Sequence, residues 1–598
     1  MDLFFCSPIP FSDFKIKKYN MNRKLLNHRL LFFIALNVLF INSLFSSENQ
    51  RNINLVDSIF QNRGEIYFKF KINSINKIVS FTNVISIDNV DKNIVFAYAN
   101  KLEFQEFLNL DFDFEILPSP GKKIIPKMLN VFNKETLYDW DYYPTYELYL
   151  EMMDAYQTEY PDFCSILNIG YSVDGRKLLF AKISSNVDIN AKKPRFMFTS
   201  TMHGDETVGY VLMLRLIDYL LSNYENDDRI KNMLDNIEIW INPLANPDGT
   251  YAGGNSSVYG ATRYNAYNVD LNRNYPDPKA GPHPDGNQWQ LETMAFMNLA
   301  DSLHFVLSAN LHSGIEVANY PWDTWERLTA DDQWWQYVCR EYADTAQFFS
   351  PAAYFTDKNN GITNGYAWYE ITGGRQDYMN YFHNCREFTL ELSDIYIMPA
   401  YQLDNYWNYN YRSLLNYIEQ VNFGFHGVIT DSISGEPLCA KIFIENHDVD
   451  NSFVYSEFLF GNFYRPIFQG SYTITISSEN YYPKTIEGIE VNNRQSTEIN
   501  IGLINDGSGI GEFTFNENFQ ITPNPSFGKF NISHTLAYDL DCSLRIYSMN
   551  GELIYNSPDN QLPSQKVWSI DISNNENGIY LLEIECGDRK VIKKLVIN

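Results

Sequence analysis

The sequence predicts an α/β fold: a catalytic-sized domain with a mixed central sheet flanked by helices, preceded by a small α+β unit and followed by two all-β sandwich modules. Three observations carry this. Between residues 138 and 418, helical patterns such as ELYLEMMDAYQTEY and VGYVLMLRLIDYLLSNY alternate with buried-strand runs such as RFMFTST, IEIWINP and FVLSANLH. After Val421 the helical period vanishes and short strands with Gly and Pro turns take over. A chain of 598 residues also has room for about four domains.

At the N-terminus, Arg23, Lys24 and Arg29 precede an apolar run from Leu30 to Phe45. The run is shorter than the roughly 18 to 20 residues a spanning helix needs, so residues 1–47 read as an extension and a secretory signal starting at Met21, with cleavage near Ser46 or Ser47. Residues 51–120 alternate strand-like EIYFKFKI, NIVFAYA and FDFEILP with a helix near Lys101–Leu108. This small α+β unit is either a removable segment that occludes a cleft or a permanent accessory domain. Gly121 to Asn133 reads as a linker. Residues 421–504 carry GVITDS, AKIFIEN, GSYTITISS and TEINIGL, a small β-sandwich. Asn505 to Gly511 reads as flexible, and residues 513–598 form a second all-β unit ending on IYLLEIE and VIKKLVIN.

Composition narrows the function. A hydrophobic fraction of 45% with 20% charged residues predicts a folded chain. The net charge of −27 repels phosphate backbones, so nucleic acid is excluded as a partner, and no segment is long enough for a transmembrane anchor. Of the seven cysteines, Cys339 with Cys385 or Cys542 with Cys586 could pair in an oxidising compartment, but sequence gives no connectivity.

The candidate chemistry starts at His203-x-x-Glu206, which follows the strand RFMFTST and precedes a helix. Strand carboxyl ends are where α/β sheets place ligands. By itself the pair also reads as an ordinary helix start, where the dipole favours a glutamate. His312, at the end of SANLH, offers a third ligand or a structural histidine. Two His and one Glu with an open fourth position make a catalytic zinc arrangement, suited to polarising a carbonyl and acidifying water.

The residues around these ligands carry a resemblance. NPDG at 246–249, Arg263, DLNRNYP at 270–276, LHSG followed by ANYPWD, GITNGYAWYEITGG and TLEL at 389–392 occur in the order found in the zinc metallocarboxypeptidases. The chain resembles that family over about 138–418, and within it the regulatory branch of carboxypeptidases N, E and D. His2Glu is the zinc set of carboxypeptidase A, so the ligands are carried over by resemblance. The resemblance implies one Zn2+ per chain on His203, Glu206 and His312, with Asp270 orienting a ligating imidazole. It makes Asn272 and Arg273 the pair that grips a terminal carboxylate, Arg263 the donor to a developing oxyanion, and Glu391 the general base. Glu391 follows Gly374 by seventeen residues and Tyr369 precedes Gly374 by five, the family's register for base and closing tyrosine. Asp323 matches the pocket aspartate of the regulatory branch, and Gln376 the second specificity position, where it supplies neither an apolar wall nor a second charge. An unpartnered buried Asp323 implies preference for C-terminal Lys or Arg.

Residues 421–504 resemble the transthyretin-like domain of the same branch. ITPNPSFGKFNI, LRIYSMNGELIY, NGIYLLEI and KKLVIN resemble the C-terminal sorting domain of type IX secretion. The expected protein is a secreted or surface carboxypeptidase acting on peptide or protein C-termini and engaging export machinery through its last domain. The alternatives are a cell-wall peptide hydrolase of the same family and a non-catalytic surface binding protein using its β-modules.

Overall fold

The computed structural model describes residues 56–74, 78–82, 84–131, 139–187, 192–457, 459–506, 519–534, 540–548, 553–562, 568–575, 577–586 and 589–597. The signal sequence read at 1–47 lies outside them, as does most of the Asn505–Gly511 linker.

The central sheet has eight strands in the order Ile362–Asn364, Glu316–Tyr320, Arg386–Leu392, Leu307–His312, Arg195–Ser200, Glu238–Asn242, Lys177–Ile183, Cys164–Tyr171. Arg386–Leu392, Leu307–His312, Arg195–Ser200 and Glu238–Asn242 run parallel, and antiparallel neighbours flank them, so the sheet is mixed. Its strands are apolar on both faces because helices cover both. Phe196 and Phe198 pack with the helices Tyr146–Glu159, Val208–Ser222, Asp332–Phe348 and Leu403–Glu419. Met197 and Trp240, one residue out of step, pack with Leu291–Ser302 and Arg375–His383 on the other face.

The N-terminal unit is a four-stranded sheet ordered Ser86–Asp91, Ile94–Asn100, Glu65–Lys71, Phe114–Ile116, with the helix Lys101–Leu108 against it. Asn100 starts that helix through a capping box with Glu103. The strand Ser86–Asp91, sequence SIDNVD, carries few strand formers and was not expected from its composition. The unit's apolar core runs on into Ile315, Val317, Trp368 and Tyr369 of the larger domain. The stretch read as a linker is partly structured: Gly121 is buried and accepts from the Gly260 amide at 2.7 Å, and Met128–Leu129 pairs with Tyr143–Pro144.

Residues 424–503 form two four-stranded sheets around Phe425, Ile429, Ile442, Ile444 and Ile474. A buried ion network joins them to the α/β domain. Arg465 donates to Asp331 and, at 2.9 Å, to Asp448, while Arg386 donates to the same Asp331 at 3.0 Å. Residues 519–597 contribute a three-stranded and a four-stranded sheet over a separate core. Cys339 and Cys385 do not pair; both are buried free thiols, and burial raises both pKa values. Cys542 is disulfide-bonded, as is Cys439. No helix among the described residues is long and apolar enough to cross a membrane.

Candidate active site

His203 and Glu206 sit in the turn between the strand Arg195–Ser200 and the helix Val208–Ser222, and His312 ends the adjacent parallel strand. The turn is braced by the NPDG motif. Asn246 accepts from the Gly249 amide and donates to the carbonyls of Met202 and Arg263, tying both loops together. Gly204 lies against this brace so closely that a Cβ would meet the Gly249 carbonyl carbon at 2.3 Å, which only glycine avoids.

The candidate ligand atoms of His203, Glu206 and His312 lie within 4.8 Å of one another. His203 Nδ1 is 2.7 Å from Glu206 Oε1, and His312 Nδ1 is 2.8 Å from Glu206 Oε2. Both Nε2 atoms point outward, to Asp270 Oδ1 at 3.1 Å and to the Asn310 amide at 2.6 Å. Burial, partly opposed by Glu206, pushes the His312 pKa down to about 4, whereas at His203 burial and Arg263 are outweighed by Glu206 and Asp270, which raise it. Burial works against ionisation of Glu206, but the two histidines outweigh it and hold the carboxylate low. Two imidazole nitrogens and one carboxylate, with the Asp270 carboxylate behind His203, fit a zinc ion.

Nine of the eleven residues predicted from sequence line one cavity: His203, Glu206, His312, Arg263, Asn272, Arg273, Asp323, Tyr369 and Glu391. Asp270 and Gln376 lie just behind it. Asp270 accepts from His203, from the Asn272 amide at 2.8 Å and from Arg263 Nε at 3.2 Å, so one carboxylate aligns three elements of the site. Glu391 projects from the strand Arg386–Leu392, directly beside His312 in the register. Its Oε2 is buried without a hydrogen-bond partner, and burial, followed by the nearby Glu206, raises its carboxyl well above the usual range.

Asp323 was expected to be partnerless, and it is not. Its Oδ1 accepts from Asn319 Nδ2 at 3.2 Å and from Gln376 Nε2 at 3.0 Å, so Gln376 supplies a donor. Turning their amides this way leaves Asn319 Oδ1 and Gln376 Oε1 buried without donors. Burial, opposed by the Asn319 bond, pushes the Asp323 pKa up to about 7. A Cβ at Gly365 would meet Asp323 Oδ1 at 1.7 Å, which explains the glycine in GITNGY.

The cleft is largely filled. The strand Ser86–Asp91 of the N-terminal unit enters it, and the remaining cavity measures about 30 Å³. Ser86 donates to Asp270 at 2.5 Å and accepts from Arg263 at 2.9 Å. The Ile87 carbonyl accepts from Arg273 at 3.3 Å and from the Tyr369 hydroxyl at 3.4 Å. Asp88 lies 3.5 Å from Arg263 and accepts from the Tyr396 hydroxyl at 2.5 Å. Glu65 and Tyr98 add bonds to the amides of Arg263 and Tyr264 and to Asp205. Ser86, Asp88, Tyr396, Asn310 and Asn319 were missed from sequence. Asn310 had a signal there, two residues before His312 and therefore on the same face of a strand, and Asn319 stands in ANYPWD four residues before Asp323.

Comparison with known proteins agrees with this arrangement. Residues 149–413 match the zinc carboxypeptidase model, and residues 520–598 match a secretion system C-terminal sorting domain, which indicates type IX export to the exterior or cell surface. Mouse carboxypeptidase M is 36% identical over 332 residues, 53% of this chain and 74% of that protein. The human carboxypeptidase N catalytic chain is 34% identical over 58% of this chain and 82% of its own length. Human carboxypeptidase D is 34% identical over 61% of this chain, which spans 27% of that longer protein. Among solved structures, carboxypeptidase A from Helicoverpa armigera aligns over 59% of this chain and 96% of its own, with 17% identity and a TM-score of 0.47. With the motifs, their order and relatives matched over most of their length, this chain belongs to the zinc carboxypeptidase family.

Proposed function

We propose that this protein is a secreted, zinc-dependent carboxypeptidase that hydrolyses the last peptide bond of peptides or proteins and prefers C-terminal Lys or Arg. The observation that carries it is the convergence of two imidazole Nδ1 atoms and a carboxylate beside a glutamate with one buried, unpartnered oxygen and two buried arginines. His203, Glu206 and His312 hold one zinc. When bound, zinc supplies a Lewis acid that polarises a carbonyl and acidifies water.

The chain's own groups do the rest. Glu391, with an unpartnered oxygen and a raised pKa, takes a proton from the attacking water and hands it to the leaving amine. Arg263 donates to the oxyanion as it develops, a contribution of about 2.7 to 4 kcal/mol in comparable sites. Arg273, whose Nη2 here holds the Ile87 carbonyl, grips the terminal carboxylate with Asn272 beside it. Tyr369 closes over the substrate and excludes water. In the specificity pocket, the Asp323 carboxylate and the two orphan carbonyls of Asn319 and Gln376 receive the donors of a Lys or Arg side chain. A Phe or Leu leaves these acceptors desolvated and unpaired.

Residues 56–118 act as a segment that keeps the enzyme latent, since Ile87 engages Arg273, assigned to the substrate terminus, and Tyr369, assigned to closing over the substrate. The two-sheet module at 421–504 is transthyretin-like, residues 1–47 carry the export signal, and the last domain engages the export machinery. The test is release of free amino acid from blocked dipeptides by chain freed of its N-terminal unit. Release should be abolished by a chelator and restored by zinc, with Arg and Lys leading the panel. A panel led by Phe or Leu overturns the preference, and no release from any peptide overturns the enzymatic reading.

A further inference from the structure

A metal site is fixed as much by what lies behind its ligands as by the ligands. His203 and His312 face Glu206, and each other at 3.1 Å, through Nδ1. A neutral imidazole that gives its Nδ1 lone pair to a metal carries its proton on Nε2, and buried in protein that N–H needs an acceptor. His203 has Asp270 for this. His312 has no carboxylate behind it. Its Nε2 lies 2.6 Å from Asn310 Nδ2, and Asn310 Oδ1 accepts from Thr199 Oγ1 at 2.9 Å, the orientation that suits a His312 with its proton on Nδ1, towards Glu206.

The orientation of that amide follows from the chemistry. Which end of an asparagine amide is nitrogen is decided by its hydrogen-bond network. Two N–H donors cannot face one another at 2.6 Å. With His312 ligating through Nδ1, the amide has to present oxygen to Nε2–H and nitrogen to Thr199, whose hydroxyl can accept. The sheet builds this relay: Asn310 and His312 share a face of the strand Leu307–His312, and Thr199 is the register partner of Asn310 on the neighbouring parallel strand. All three are buried, so no water substitutes for a missing partner.

We propose that Asn310 is a positioning residue for the metal, its side-chain carbonyl fixing the tautomer and ring plane of His312 while Thr199 holds the amide in that orientation. This rests on the reading of His203, Glu206 and His312 as zinc ligands. Loss of such a supporting acceptor costs 10- to 100-fold in metal affinity in comparable sites.

The test is the zinc dissociation constant of the full chain, measured by competition with a chromophoric chelator, for wild type, Asn310→Ala, Asn310→Asp and Thr199→Val. Thermal unfolding of the zinc-free proteins separates folding defects from metal affinity. Asn310→Ala should bind zinc about 10- to 100-fold more weakly. Asn310→Asp, which keeps an acceptor, should stay within a few-fold of wild type, and Thr199→Val should fall between them. Wild-type affinity in Asn310→Ala, or Asn310→Asp as weak as Ala, overturns the assignment. Should Asn310→Ala not fold, Asp and Val still decide it: Asp near wild type with Val weakened supports the relay, and Asp markedly weakened, or both at wild-type affinity, overturns it. A wild-type chain that takes up no zinc overturns the metal reading itself, and this inference with it.

Discussion

Replacing Asp88 by Ala should wake the latent enzyme without any proteolysis. Asp88 belongs to the N-terminal unit and crosses to the α/β domain through two contacts, the 2.5 Å bond from Tyr396 and the 3.5 Å approach to Arg263. Its bond from Tyr67 stays within the unit and does not count towards closure. Arg263 keeps Asp270 at 3.2 Å and Glu206 at 3.1 Å, so no orphan charge is created and the full penalty of a broken buried pair does not apply. What is lost is one bond worth about 1 kcal/mol with a neutral acceptor and up to about 3 kcal/mol with an ionised one. Burial raises the Asp88 carboxyl, with Arg263 opposing, which sets the lower end of that range. If closure dominates, basal activity follows the open population and rises roughly 5- to 150-fold. The assay is the initial rate on a blocked dipeptide with intact chain, beside a sample freed of residues 56–118, in which the substitution is absent and rates must match wild type. Intact Asp88→Ala protein with normal zinc content and unchanged basal rate would refute the latch.

Glu391→Gln should retain zinc and fold but lose several orders of magnitude in kcat, since shape survives while proton transfer fails; a rate within tenfold of wild type moves the base elsewhere. Asp323→Asn should cut the Arg-over-Leu ratio of kcat/KM by about 10- to 100-fold, the loss of one charge-assisted bond. In the wild type the same ratio should rise with pH through about 7, because deprotonation creates the anion that a cationic side chain prefers; a flat ratio between pH 5.5 and 8.5 argues against Asp323 as the determinant. Deleting residues from 513 onward should leave a folded, active enzyme held in the periplasm of a type IX secreting host, checked by fractionation, because that segment has its own core.

Strong periodicity made the central fold legible. Runs such as RFMFTS and EIWIN, mostly apolar and buried at every position, belong to strands covered on both faces, and their exits hold His203 and the NPDG brace. Fixed spacing made Glu391 and Tyr369 legible among many carboxylates and tyrosines. The strand Ser86–Asp91 was hidden because its sequence is polar, and its strand state comes from pairing with Ile94–Asn100 and from the cleft it fills. Tyr396 meets Asp88 across 308 residues of sequence, and no local pattern encodes such a meeting. Asp323 lines the cavity, but its hydrogen-bond partners could not be read from sequence, because amide orientation at Asn319 and Gln376 is a property of the assembled pocket.

The network of Asp331, Arg386, Arg465 and Asp448 pairs two cations with two anions, each almost fully shielded from water. Each part supplies one arginine and one aspartate, and Arg465 crosses to Asp331, so moving one part without the other splits a buried ion pair. The border at residues 420–424 is therefore a poor place to recombine, cut or shuffle this protein. A graft that exchanges residues 424–503 for a foreign sandwich has to bring its own Arg and Asp in register, or replace all four side chains at once.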